Sequence, residues 1–223
     1  MKKLLKISVI ALLLSALTIT GFADDSMTTI KKFLWALGKY KHDSAVPSQI
    51  QLNGKIKKLC NFILNVDYMG RRAMRTNWNR MTPAQQTEYL SLLKQIVDKI
   101  VYKDASRQLN DMRITYRSAQ ALGGNRHKVT ANVFIISERL DMKAEYILEQ
   151  QGSAYKIIDI FFDGESLVED YHMEFNRIIN EHGITGRRQS LLNRMRRTLR
   201  QNVLDDARAK RRTQQRQQRR GGR

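Results

Sequence analysis

One cysteine, Cys60, is all the thiol in this chain, which excludes an intrachain disulfide and any multi-cysteine metal site. Its neighbours Leu59, Ile63 and Leu64 are apolar, so it reads as a small buried hydrophobe rather than a reactive thiol. Histidine is scarce too. His42, His127, His172 and His182 stand in no HxxxH, HxH or carboxylate spacing that gathers a metal, and each reads as a solvated polar residue. A nucleophile motif is also missing: 164–168 lacks the second glycine of a nucleophile elbow, and Ser166 suits a helix cap instead. Gly123-Gly124 precedes no helix that would hold phosphate and reads as a turn. Asp159 and Asp163 flank the end of a strand. They are either bonded to backbone at the turn or, in an enzyme reading, one of them is a general base. Internal repeats are absent.

Acidic residues are in short supply against 40 Lys and Arg, giving a formal charge of +19. The surplus is uneven. From Gly186 to Arg223 fourteen Lys/Arg face two Asp, so +12 of the charge lies there. Residues 1–23 have Lys2, Lys3 and Lys6, an apolar run from Ile7 to Ile19, and Gly21-Phe22-Ala23. That is the order of a secretory signal cut after Ala23, and the apolar run is short for a membrane span. With no cysteine after the cut a lipoprotein anchor is not expected, and the expected location is the periplasm of a Gram-negative envelope. About 200 residues then remain, enough for one well-buried domain.

Hydrophobic spacing is helical over the first half. Ile30, Phe33, Leu34 and Leu37 mark one helix; Pro47 opens a second carrying Ile50, Ile56, Leu59, Cys60 and Ile63. Asp67 is placed to cap a short helix with Met69, Ala73, Met74 and Trp78 inward. Thr82-Pro83-Ala84-Gln85 begins a capping box, and the helix it opens shows Leu90, Leu93, Ile96, Val97, Ile100 and Val101 on a wide face. Near Leu109 the period changes to two. Met112, Ile114 and Tyr116, then Val129, Ala131, Val133 and Ile135, then Leu140, Met142, Ala144, Tyr146 and Leu148 alternate with their neighbours between short turns. A near-continuous apolar strand at 155–162 follows, stopped by Asp163-Gly164. Ser166 caps a returning helix with Leu167, Tyr171, Phe175, Ile178 and Ile179, ending at Gly183. The expectation is α+β: N-terminal helices, a four-stranded antiparallel meander and a returning C-terminal helix, all within 24–185. Leu191, Leu192, Met195, Leu199 and Val203 among arginines predict a basic amphipathic helix over 186–208. Residues 209–223, Arg/Gln-rich and without a core-forming residue, are expected to be disordered.

Tyr155-Lys-Ile-Ile-Asp159, Gly164-x-Ser166-Leu167-Val168, Tyr171 and Phe175 are similar to the signature of the MlaC-type phospholipid carriers, the toluene-tolerance family. Asp67, Trp78, Thr82-Pro83, Gln85 or Gln86, Leu93 and Tyr102 fit that family's central helices in order and spacing. The resemblance covers roughly residues 50–195; Tyr155 departs from it, since the family usually has Trp there. It implies a soluble periplasmic carrier whose hydrophobic pocket holds phospholipid acyl chains between sheet and helices. The implied partners are phospholipid, an inner-membrane ABC transporter complex and an outer-membrane lipoprotein complex; no cofactor is needed, the lipid being cargo. Burying a methylene is worth roughly 0.8 kcal/mol, so a ~16-carbon chain left in water costs on the order of 12 kcal/mol. A pocket of Ile, Leu, Val, Met and Tyr suffices to cover it.

The residues expected to line the pocket are Leu93, Ile96, Val97, Ile100, Val133, Ile135, Tyr146, Ile158, Ile160 and Tyr171. Head groups would stay in water at the mouth, with little selectivity. Arg187, Arg188, Arg194, Arg196, Arg197 and Arg200 are the candidate contacts to an anionic membrane surface. Two competing readings stand beside the carrier. One is a cationic envelope protein that binds acidic polymers through its tail; the other is a small enzyme using Asp159 or Asp163. Nucleic acid, which such a tail would bind nonspecifically, is not the expected partner of an exported chain.

Overall fold

The computed structural model describes residues 25–42 and 44–221. The expected export signal at 1–23 lies outside the described residues. Helix α1 (Ser26–Lys39) is capped by Asp25, whose carboxylate accepts the Thr28 N–H, and buries Ile30, Phe33, Leu34 and Leu37 at helical spacing. Helix α2 (Pro47–Ile63) starts on its proline and buries Ile56, Cys60 and Ile63. Ile50, expected on its apolar face, is exposed. Helix α3 (Val66–Met74) is capped by Asn65, which accepts the Tyr68 N–H at 3.1 Å. Asp67, the expected cap, sits two residues further on, in the first turn, and takes the Lys94 ammonium at 2.9 Å. After the single turn α4 (Thr76–Asn79), the capping box of Thr82 and Gln85 opens α5 (Pro83–Ile96) as the sequence predicts.

The expected long helix is not uniform. A π segment (Val97–Val101) separates α5 from α6 (Tyr102–Leu109), which inserts an i→i+5 turn where the apolar face is widest. The sheet runs in chain order as an antiparallel meander: β1 (Met112–Gly123), β2 (Arg126–Ile135), β3 (Leu140–Gln151) and β4 (Ala154–Phe162). A two-residue fifth strand, β5 (Glu165–Ser166), which the sequence reading did not anticipate, folds back on Phe161 and Phe162. Its Ser166 hydroxyl accepts the Glu169 N–H and so caps α7 (Leu167–His182). Helix α8 (Leu191–Gly221) completes the fold.

Packing follows from these faces. The inner set of the sheet, including Val129, Ala131, Val133, Ala144, Tyr146 and Leu148, is buried against α1, α2 and α3. The outer face is polar: Glu145 lies between Lys128 at 3.3 Å and Lys143 at 3.0 Å. A one-sided antiparallel sheet covered by helices is the α+β architecture read from the sequence. Helix α8, expected as a separate element after 185, is part of the body. Leu191, Leu192, Met195 and Leu199 are buried in one cluster with Ala73, Met74, Tyr89, Phe175 and Ile179. The helix also runs past the expected end at 208 to Gly221. Arg, Gln, Lys and Ala are good helix formers, so propensity carries the backbone on after apolar contact ends.

Candidate functional site

Between the sheet and the helices lies a cavity of about 900 Å³, open to solvent on one side. Its floor is the inner face of the strands: Met112 and Ile114 of β1, Val133 of β2, Met142 and Tyr146 of β3, and Ile160 of β4. The antiparallel register sets these in cross-strand pairs, Ile114 facing Val133, Val133 facing Met142 and Tyr146 facing Ile160. The roof comes from α5 and the π segment through Leu93, Ile96, Val97, Ile100 and Val101. Phe33 and Leu37 of α1, Tyr171 and Phe175 of α7, and Leu191 and Met195 of α8 close the sides. An apolar cavity of ~150 Å³ admits a benzene, so this one has room for on the order of six such rings, or hydrocarbon of that bulk.

Eight of the ten residues expected at the pocket stand around this cavity: Leu93, Ile96, Val97, Ile100, Val133, Tyr146, Ile160 and Tyr171. Ile135 and Ile158 do not line it. Ile158 is fully buried but occupies a β-bulge: Leu148 pairs with Ile157 and Ile147 with Asp159, leaving Ile158 without a cross-strand partner. The alternation slips by one there, so Ile160 and not Ile158 joins the floor. Ile135 ends β2, between Met112 and the exposed Leu140, at the margin of the sheet. Met112, Ile114 and Met142 were legible as members of the same period-two set. The walls from α1 and α8 were not, because helical spacing gives each helix an inward face but not which helices meet at the pocket.

Burial shapes the tyrosines around the cavity. It pushes the hydroxyls of Tyr89, Tyr146 and Tyr171 above the ordinary phenol value, and with it their power to act as acid or base near neutrality falls. Tyr89 donates to the Gly70 carbonyl at 3.1 Å, which fixes its ring edge-on to Phe175. Cys60 is buried and pushed up to about 12 by burial, so it stays a thiol. The charged residues of the lining are Asp104 and Glu174, both exposed, and the half-buried Arg194.

Asp159 and Asp163 are not on the cavity wall. Asp159 is buried and accepts the Ile160 N–H at 2.8 Å, the Ser166 hydroxyl at 2.8 Å and the Val168 N–H at 3.3 Å. It therefore fastens the end of β4 to the start of α7. Asp163 accepts the Lys143 N–H at 2.7 Å from a positive φ of 49°. Both carboxylates bond to backbone, one at each side of the turn.

The histidines are less solvated than the sequence implied. His172 is bonded to the Ala73 carbonyl at 2.9 Å, His42 to Asp206 at 2.8 Å, and His127 stacks edge-on against Tyr155. Among the expected surface arginines, Arg196 is committed to an ion pair with Glu88, and Arg187 reaches the Glu181 carbonyl at 3.4 Å. Arg194 donates to Gln189, and Arg197 to the Arg188 carbonyl. Arg197 and Arg200 of α8 and Arg188, which precedes the helix, border one depression.

The comparison with curated proteins gives no match. A phospholipid-binding protein from Ralstonia solanacearum, solved in complex with a phospholipid, shares the fold with a TM-score of 0.57. It is 18% identical, and the alignment covers 82% of this chain and 99% of that one. The family model described as MlaC protein matches residues 36–196, from α1 to the first turns of α8. The chain belongs to the MlaC family.

Proposed function

We propose that this protein is a phospholipid carrier: the cavity takes the acyl chains and the head group sits at its opening. The observation that carries this reading is an open, apolar cavity of about 900 Å³ in a family member whose fold neighbour holds a phospholipid. Covering an acyl chain of ~16 carbons saves on the order of 12 kcal/mol against leaving it in water. That is the whole task of a carrier, and it needs no reactive group. The enzyme reading is weaker because the oxygens of Asp159 and Asp163 are already engaged with backbone and Ser166, away from the cavity.

The setting we infer is the periplasm, reached by a signal cut after Ala23. There the protein moves lipid between an inner-membrane ABC transporter complex and an outer-membrane lipoprotein complex. The far part of α8 favours a contact with an anionic membrane surface as well, since Val203 and Leu204 are exposed beside Arg200 and Arg208. Deleting 186–223 would not separate the two roles, because Leu191 and Met195 belong to the cavity wall. The direct test is native mass spectrometry of gently purified protein, with thin-layer chromatography of a solvent extract. Phospholipid at near-stoichiometric amount is the expected result, and protein free of any lipid would defeat the carrier reading.

A further inference from the structure

Beside the mouth of the cavity, α8 and the π segment enclose a second depression of about 920 Å³, a groove open at the surface. Ile100 and Thr198 border both it and the cavity, so the two spaces meet along one shared edge. Their characters are opposite. The cavity is apolar; the groove carries Arg188, Arg197 and Arg200, with Asn193 and Gln201 as further hydrogen-bonding groups. Its one carboxylate, Asp205, accepts from Gln201 at 3.0 Å and lies 3.5 Å from Arg208.

The pairing of charges around the cavity is lopsided. Glu174 is held by Arg177 at 2.8 Å, and Asp104 lies 4.0 Å from Arg107. Arg194, also in the cavity lining, has its guanidinium bonded only to the neutral Gln189 carbonyl and side-chain amide among the described residues. Arg188, Arg197 and Arg200 have no carboxylate within ion-pair distance among the described residues. Guanidinium groups held along one groove by α8 and the turn before it, short of counter-charge, form a receptor for phosphate oxygens, which guanidinium matches in two-point geometry.

We propose that this groove is the head-group phosphate site of the carried lipid and that the cargo is anionic phospholipid. The inference rests on the carrier reading, and it replaces the expectation of little head-group selectivity. A chain in the cavity that leaves past Thr198 brings its phosphodiester to Arg194 and the groove. Phosphatidylglycerol adds no cation there, whereas phosphatidylcholine adds a quaternary ammonium that the arginines repel. Free phosphate offers the same oxygen chemistry without the chains, and the experiment separates the two sources.

Delipidated full-length protein is titrated with monomeric short-chain phosphatidylglycerol or phosphatidylcholine, which form no membrane surface for α8 to adsorb to. Inorganic phosphate is titrated in parallel by calorimetry. We expect phosphatidylglycerol to bind about tenfold more tightly, because phosphatidylcholine sets its ammonium against the arginines that hold its phosphate, and the ratio to shrink as salt is raised. R200Q, whose wild-type guanidinium bonds no other part of the described fold, should bring the ratio towards one. R188Q/R197Q should do the same, with circular dichroism checking the local fold, since Arg197 also holds the Arg188 carbonyl. Equal binding of the two lipids, or a preference that R200Q leaves intact, overturns the proposal. Phosphate binding without any lipid preference overturns it too, by assigning the groove to the free ion. Failure of both lipids to bind defeats the carrier reading itself.

Discussion

The two apolar clusters of this molecule are built from the same residue types but end differently. In the cluster formed by α3, α5, α7 and α8, the side chains behind the cavity wall close on each other: Met74 and Leu192 are fully buried and neither lines the cavity. In the cluster between α1, α5, the π segment and the sheet, Leu93, Met112, Ile114, Met142 and Ile160 are only partly buried and face an open space. Both read as core in the sequence. Hydrophobic periodicity says which face turns inward, not whether the volumes that meet there fill it. The unfilled cluster is the one that spans a sheet and a helical layer, where the bulge at Ile158 and the π segment both interrupt regular packing.

The largest effect is expected from opening the closed cluster. Leu192→Ala removes a fully buried side chain from surroundings that have no slack, and should cost about 3 kcal/mol in urea unfolding. The same truncation on the cavity floor, Ile114→Ala, should cost clearly less, because Ile114 is only partly buried and already faces a void. Equal losses at the two positions would break the distinction between the clusters.

A smaller effect is expected where α8 leaves the closed cluster. Asp206 accepts from Lys103, whose side chain is 10% exposed, and from His42 at 2.8 Å. Burial tends to raise the Asp206 carboxyl, but the hydrogen bonds from Lys103 and His42 outweigh it and hold the pKa below the ordinary 3.8. A carboxylate depressed in the folded state adds stability above its unfolded pKa and loses it as pH falls through the folded value. Asp206→Asn should therefore cost about 2 kcal/mol at neutral pH, mainly by leaving Lys103 without its partner. The gap to wild type should close in acid below about pH 4, as seen by thermal unfolding across pH. A gap that persists at low pH would mean that Asp206 acts by packing and not by charge.

What was legible in the sequence was what local chemistry decides. Pro47, the Thr82–Gln85 capping box and Ser166 start the helices they predict, because each supplies its own backbone partner or fixed angle. The strand alternation placed Val133 and Tyr146 on the cavity floor for the same reason. What was not legible depends on more distant parts. Asn65 and Asp67 are both able to cap α3, and the choice follows from the chain leaving the α2 end through Leu64, where Asn65 bonds the Ile157 carbonyl. The apolar row Val97, Ile100, Val101 fits a straight helix as well as a π turn. Ile158 is misread because one extra residue in a strand inverts all later faces. The boundary at 185 was drawn because the row Leu191, Leu192, Met195 and Leu199 shows that α8 has an inward face, not that this face packs against α3, α5 and α7.

The finest test of the comparison is a single methyl group set between the two clusters. Gly70 of α3 lies on the cavity, and a β-carbon there would meet Leu93 Cδ2 at 2.6 Å and Leu90 Cδ2 and Tyr89 Cε1 at 3.4 Å. The close contact is with the end of a flexible side chain that borders empty space, so Leu93 has somewhere to go. Gly70→Ala also gains helix propensity of roughly 0.5–1 kcal/mol. The two effects should nearly cancel, leaving stability within about 1 kcal/mol of wild type, while the displaced Leu93 takes up part of the cavity and, on the carrier reading, should lower the lipid retained per protein. Unchanged stability with reduced lipid identifies this wall as yielding, in contrast to the packing around Leu192. A loss as large as that of Leu192→Ala would show instead that the roof of the cavity is held as tightly as the closed cluster, and that the void persists because its walls cannot move into it.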